Sequence, residues 1–162
     1  MKLIVAIIVW LSVLVALLWY SGSGQLSHFS PNNTVIESKE LVDLVKSNHP
    51  VNKPILLHFF DQECRCNLVA EPHINSVKAL AQKQQFTNVY IDINEHPKWK
   101  SRIPSTPAVL AINNNQLQYF GPYSTGPSCL PGEGLIEPYL TTPTTKPQIL
   151  TDGFGCYCNT GA

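Results

Sequence analysis

The sequence is short of charge, and neither sign is in excess. Charged residues make up 14% of the 162, and eleven basic residues are matched by eleven acidic ones. With zero net charge the chain has no electrostatic footprint for a phosphate backbone, so nucleic acid is not expected as a partner. The sequence also lacks a Gly-rich phosphate loop, a serine nucleophile elbow and a His-Glu-X-X-His pair. Those absences argue against phosphoryl transfer, serine hydrolysis and zinc-peptidase chemistry. A hydrophobic fraction of 44% argues against disorder.

The first feature that is present is an apolar run, LIVAIIVWLSVLVALLWY, at residues 3–20. At about 1.5 Å per residue it spans roughly 27 Å, close to a hydrocarbon core of about 30 Å. Lys2 and the amino terminus carry the nearby positive charge, and both precede the run. A single-pass transmembrane helix over residues 1–21 is therefore expected, with its start in the cytoplasm and the rest outside. No small-X-small cleavage point follows, which favours an uncleaved anchor over a removed signal peptide. Both readings place the domain in an oxidising compartment, and the inner membrane of a bacterium with the domain in the periplasm is the expected location.

Residues 22–33 are polar and rich in Gly, Ser, Pro and Asn, as a linker is. Thr34 to Glu37 has capping-box spacing ahead of a helix to about Ser47, with Leu41, Leu44 and Val45 on one face. ILLHFF at 55–60 reads as a strand buried on both faces. A helix follows from about Cys64 to Gln84, where Pro72 should introduce a kink. NVYIDI at 88–93 reads as a second buried strand, and EHPKWKSR as a short helix. Residues 107–112 and 116–120 flank an Asn-rich turn and predict a hairpin. A last short helix over 133–140 is interrupted by Pro138. YFGPYSTG at 119–126 is expected to pack rather than to line a groove. Residues 34–140 thus form one α/β domain with a central sheet between helices, and 141–162 a tail.

The five cysteines are unevenly placed. Cys64 and Cys66 form one Cys-X-Cys, Cys156 and Cys158 another, and Cys129 stands apart. An odd count leaves at least one thiol outside an internal bridge.

The ordered set ILLHFFDQECRC at 55–66, Pro72, and IPSTPAVLAI at 103–112 resembles the thioredoxin-like superfamily. It looks most like an uncharacterised bacterial family of membrane-anchored members with Cys-X-Cys. The resemblance covers residues 36–140 and implies a three-layer fold with a central mixed sheet. It also implies that Cys64 is the exposed nucleophile and that Pro107 is a cis-proline facing it. Thr106 would then offer backbone groups to a bound peptide strand, and His58 would be a buried acid or base beneath the cysteines. This sequence departs from the usual motif in having the single residue Arg65 between its cysteines and Glu63 before them.

A redox cysteine needs its thiolate stabilised. A helix N-terminus and Arg65 favour the thiolate, while Asp61 and Glu63 oppose it. A Cys64–Cys66 disulfide would close a small, strained ring. His73 reads as a packing or surface residue. Three uses of Cys156 and Cys158 stand open: a second dithiol exchanging with Cys64 or Cys66, a disulfide from tail to body with Cys129 as another candidate, and a thiolate metal site.

The leading expectation is a thiol–disulfide oxidoreductase or relay that acts, without a cofactor, on protein thiols or disulfides of the envelope. Cys64, Cys66 and His58 would carry its chemistry, and Thr106, Pro107 and Arg65 would hold the substrate. One alternative is a metallochaperone-like protein binding copper or zinc through Cys64, Cys66, Cys156 and Cys158. The other is a non-enzymatic scaffold with structural disulfides.

Overall fold

The computed structural model describes residues 2–23, 26–32, 36–49, 53–126 and 134–162, with the side chains of 19–23 left out. Thr34 of the expected capping box, and Cys129, lie outside the described residues. The first helix, α1, spans Lys2–Ser23. The expectation of a transmembrane helix is corrected here. Among the described residues, no helix is long and apolar enough to cross a membrane. The apolar side chains of α1, Leu3, Trp10 and Leu17 among them, are exposed.

Five strands make a central mixed sheet: β2 (Ile55–Phe60), β3 (Thr87–Asp92), β5 (Ala108–Asn113), β6 (Gln116–Gly121) and β7 (Gln148–Ile149), in the order β3-β2-β5-β6-β7. β3 lies parallel to β2, and β7 parallel to β6. β5 is antiparallel to both of its neighbours. The β5–β6 hairpin turns at Asn114 and Asn115, both with φ above +45° (50° and 63°), a region in which asparagine is among the most tolerated side chains.

The period-2 alternation of β2 decides what each face meets. Ile55, Leu57 and Phe59 join one core with Leu41 and Val45 of α2 (Ser38–Asn48) and Trp99 of α4 (Pro97–Lys100). Leu56 joins the other core with Val77 and Ala81 of α3 (Cys66–Lys83) and Leu140 of α5 (Glu137–Thr141). The architecture is mixed α/β about a central mixed sheet, as expected.

Two helix boundaries differ from expectation. α3 begins at Cys66, not Cys64, because Cys64 belongs to the preceding turn, where its N–H donates to Asp61 O at 3.0 Å. α3 then runs unbroken through Pro72. Pro138 does not interrupt the last helix. It sits in the first turn of α5, where a missing N–H costs nothing.

The C-terminal segment is woven into the body. β8 (Phe154–Cys156) pairs antiparallel with β1 (Leu26–His28), inside the stretch read as linker. β9 (Cys158–Asn159) pairs antiparallel with β4 (Ser105–Thr106). Between β8 and β9, Tyr157 is 5% exposed, meets Phe29 edge-on at 5.3 Å, and donates its hydroxyl to Ser124 O at 2.6 Å. Gly155 allows the close approach: a Cβ there would lie 2.8 Å from Gly126 O.

Candidate functional site

All four motif cysteines meet at the N-terminal end of α3. Cys64 is in the turn that leads into the helix, and Cys66 is its first residue. Cys156 ends β8 and Cys158 begins β9. The bridges run across the two motifs: Cys64 bonds Cys158 and Cys66 bonds Cys156, with Cα separations of 5.8 and 5.5 Å. No Cys64–Cys66 bond forms. Of the uses open to the tail cysteines, the structure has the tail-to-body disulfide, as a double cross-link to Cys64 and Cys66 rather than to Cys129.

Strand geometry supplies the reason. Residues i and i+2 of an extended segment point to the same side. Cys156 and Cys158 therefore both face the body from one edge of the tail. The antiparallel β4–β9 pairing sets Cys158 opposite Thr106, whose carbonyl lies beside Cys64 Sγ, which leaves Cys156 for Cys66.

Thr106, expected at the substrate edge, lies against the same sulfurs. Thr106 pairs with Cys158 in register, and its carbonyl oxygen is 3.6 Å from Cys64 Sγ. Bonded to Cys158, that sulfur has no proton to donate, so this contact becomes a hydrogen bond only when Cys64 is reduced. The Thr106–Pro107 bond is cis. Thr160 N–H extends the tail's grip by donating to Pro104 O at 3.1 Å. Cys64, Cys66 and Cys156 are buried, at 5, 1 and 6% exposure, whereas Cys158 is half-buried. Cys158 is thus the least buried of the four residues. Arg65 is exposed between the two body cysteines.

His58 points to the α3 face and is engaged away from the sulfurs. Its Nδ1 is 2.5 Å from the Tyr123 hydroxyl and its Nε2 is 2.8 Å from Asn88 Oδ1. Burial is the main cause that lowers its pKa from 6.5 to about 4; the bond to Asn88 works against this, and the Lys78 charge adds to it. The ring is then neutral at pH 7. Asn88 Oδ1 can only accept, so Nε2 carries the proton and Nδ1 accepts from Tyr123. Asn88 and Tyr123 were not visible as partners in the sequence, because each lies on a different strand or loop.

His73 is fully buried and meets Glu137 Oε1 at 2.6 Å through Nε2, tying α3 to α5. Burial pushes the Glu137 carboxyl up, but the His73 hydrogen bond and charge outweigh it and hold the group below the usual carboxylate range. Tyr123 lies between the two histidines, its ring 6.1 Å from that of His58 and 6.0 Å from that of His73. An open pocket of about 330 Å³ adjoins His58, walled by Phe60, Leu68, Ile74, Tyr90 and Tyr123.

Acid should find the histidine at 58. Folding lowers its pKa, so the proton favours the unfolded chain. The stability it contributes is intact above pH 6.5 and is lost as pH falls from 6.5 towards about 4, a loss on the order of 3 kcal/mol. Denaturant unfolding at pH 7 and pH 4 should show His58→Gln losing about 2–3 kcal/mol less than the parent across that interval. Glu137 acts in the same direction in both proteins and cancels. Equal losses would mean that position 58 is not held neutral.

The site defines a class: a mixed α/β protein whose helix-tip Cys-X-Cys is doubly bridged to a second Cys-X-Cys in its own tail. The family described as Domain of unknown function (DUF6436) matches residues 33–160, and the chain belongs to it. No curated protein matches the sequence. Solved structures similar to part of the chain include human ERp44, at 17% identity and TM-score 0.35, over 52% of this chain and 26% of that one. Another is the germline-specific thioredoxin protein Deadhead of Drosophila melanogaster, at 18% identity and TM-score 0.33, over 52% and 80%. A third, described as a malarial protein, shows 17% identity and TM-score 0.33, over 41% and 75%.

Proposed function

We propose that this protein is a thiol–disulfide oxidoreductase or redox relay for envelope proteins, in which the tail occupies the place of a substrate strand. One observation carries the reading: β9 lies antiparallel on Ser105–Thr106, just before Pro107, with Cys158 bonded to Cys64. The resemblance to thioredoxin-like proteins assigns substrate strands to that edge and the nucleophile to Cys64. The tail is then an internal substrate held as a mixed disulfide.

The exchange balances as follows. A thiolate of a partner dithiol attacks Cys158 Sγ, the Cys64–Cys158 bond breaks, and Cys64 leaves as the thiolate. The partner's second thiolate attacks its own sulfur in the mixed disulfide and releases Cys158. The partner loses two electrons and becomes a disulfide, and its two protons end on Cys64 and Cys158. Reduced Cys64 can then attack a substrate disulfide, and Cys158 resolves the product by restoring the bridge. Arg65, exposed beside Cys64, favours its thiolate. His58, with both ring nitrogens engaged, is assigned a positioning role through Tyr123.

Two disulfides require an oxidising compartment, which supports a periplasmic domain. The exposed apolar helix α1 supports attachment of that domain at the inner membrane. Fractionation with thiol labelling checks both.

The burial of three of the four sulfurs favours a second reading, in which the bridges are structural staples of a non-enzymatic scaffold. An exchange assay separates the two. The pre-reduced full-length chain should reduce a disulfide-bonded peptide, with the rate falling at least about 100-fold in Cys64→Ser. A staple gives no rate above the thiol background, and that result ends the oxidoreductase reading.

A further inference from the structure

We propose that reduction converts the two bridges into a four-thiolate site for a soft d10 cation, Zn²⁺ or Cu⁺, built from Cys64, Cys66, Cys156 and Cys158. The inference goes beyond thiol exchange. It needs only that two equivalents of a dithiol can open both bridges, each giving two electrons and two protons and becoming a disulfide as the two bridges become four thiols.

The first observation is sulfur geometry. Sγ atoms of Cys64, Cys66 and Cys158 all lie within 4.8 Å of one another, and Cys156 is bonded to Cys66. A tetrahedral site with zinc–sulfur bonds of about 2.3 Å needs sulfurs about 3.8 Å apart. Each opened pair must spread by less than about 2 Å, and the sulfurs of Cys64, Cys66 and Cys158 not bonded to one another close by up to about 1 Å, while Cys156 Sγ, outside that trio, must swing in further.

The second observation is that the disulfides are not what brings the tail to the body. β8 pairs with β1 over Leu26–His28, and β9 with Ser105–Thr106. Phe29 N–H donates to Gly153 O at 2.7 Å, and Gly126 N–H to Phe154 O at 2.7 Å. Tyr157, between the two tail cysteines, is buried with its hydroxyl on Ser124 O at 2.6 Å. None of these contacts contains a sulfur, so none is lost on reduction, and the four thiols stay convergent.

The third is chemistry. Thiolates as buried as Cys64, Cys66 and Cys156 need a compensating charge. Thiolate is the ligand that selects zinc and cuprous ions over harder cations. The N-terminus of α3 adds favourable partial charge beside Cys66. A metal held there blocks re-oxidation, so loaded and bridged forms exclude each other.

The test uses the full-length chain, reduced with a phosphine under argon, with Zn²⁺ as the probe and Co²⁺ as its spectroscopic substitute. The reduced chain should take up one Zn²⁺, and Co²⁺ should give thiolate-to-metal charge-transfer absorption. The oxidised chain should do neither. Cys156→Ser and Cys158→Ser should each lower affinity at least about 100-fold, since loss of a ligand should exceed loss of its supporting hydrogen bond. Alkylation needs no variant: bound Zn²⁺ should slow modification of these four cysteines and not of Cys129. Absence of uptake, a cobalt spectrum without sulfur bands, or equal labelling of all five cysteines would overturn the site. The metal-free exchange assay would still stand or fall by itself.

Discussion

Replacing all four bridging cysteines by alanine lowers stability by about 6–7 kcal/mol, whereas removing either bridge alone costs only about 2 kcal/mol. The bridges close the same loop. Cys64–Cys158 spans 94 residues and Cys66–Cys156 spans 90, and either alone restricts the unfolded chain by about 4.5 kcal/mol in the chain-entropy account. Once one is present, the other closes a ring of only a few residues and adds about 2 kcal/mol. The double-mutant cycle over the two bridges should therefore show a coupling of about 2–3 kcal/mol. The last bridge's contribution of about 4.5 kcal/mol is a large share of a small domain's stability, commonly about 5–15 kcal/mol. Denaturant unfolding of the parent, the two single-bridge variants and the bridgeless variant, all without reductant, measures the cycle. Additive losses would show that the bridges do not close a shared loop.

The second large effect is covalent. With Cys66, Cys156 and Cys158 changed to alanine, Cys64 loses its bonding partner and the other thiols of the described site. In cells it should accumulate mixed disulfides with envelope proteins, at least about tenfold above the same chain carrying Cys64→Ala. Cys129 is present in both chains and sets the background. The tail in the variant has no sulfur with which to compete, and the edge at Thr106, which pairs with Cys158 in the parent, is held only by backbone pairing. If the chain with Cys64→Ala trapped as much protein, the nucleophile would be another residue.

Local sequence carried the sheet well. ILLHFF has no polar break and forms β2 within one residue of its expected limits, and the Asn-rich turn gives the β5–β6 hairpin. Those elements were readable because a strand buried on two faces and a hairpin turn each have a short-range signature. The resemblance, spread over fifty residues, led to the expectation that Pro107 faces Cys64; the carbonyl oxygen of the preceding Thr106 lies 3.6 Å from Cys64 Sγ.

What was not legible is long-range. The 141–162 stretch, rich in Thr and Pro, reads as a tail without regular elements, yet it contributes β7, β8 and β9. Its docking sets Tyr157 against Phe29, from near the start of the chain, and on Ser124 O, 33 residues before it. No periodicity records that. The two Cys-X-Cys pairs left several bridgings open because connectivity depends on strand direction, and direction comes from the β4–β9 pairing. His58 was placed in a buried strand correctly, but its partners Asn88 and Tyr123 come from β3 and from the loop after β6. The apolar run near the start forms a helix, though not one whose described residues cross a bilayer.

Protease chemistry offers a direct test of the cross-bridging, because the two residues between the cysteines are cleavage points. Trypsin cuts after Arg65 and chymotrypsin after Tyr157, so the non-reduced protein digested with both separates all four sulfurs into different peptides. Mass spectrometry should find the peptide ending at Arg65 joined to the one containing Cys158, and the peptide beginning at Cys66 joined to the one ending at Tyr157. Linkage of 64 to 66 with 156 to 158, or of 64 to 156, would contradict the antiparallel docking of the tail on which the rest depends.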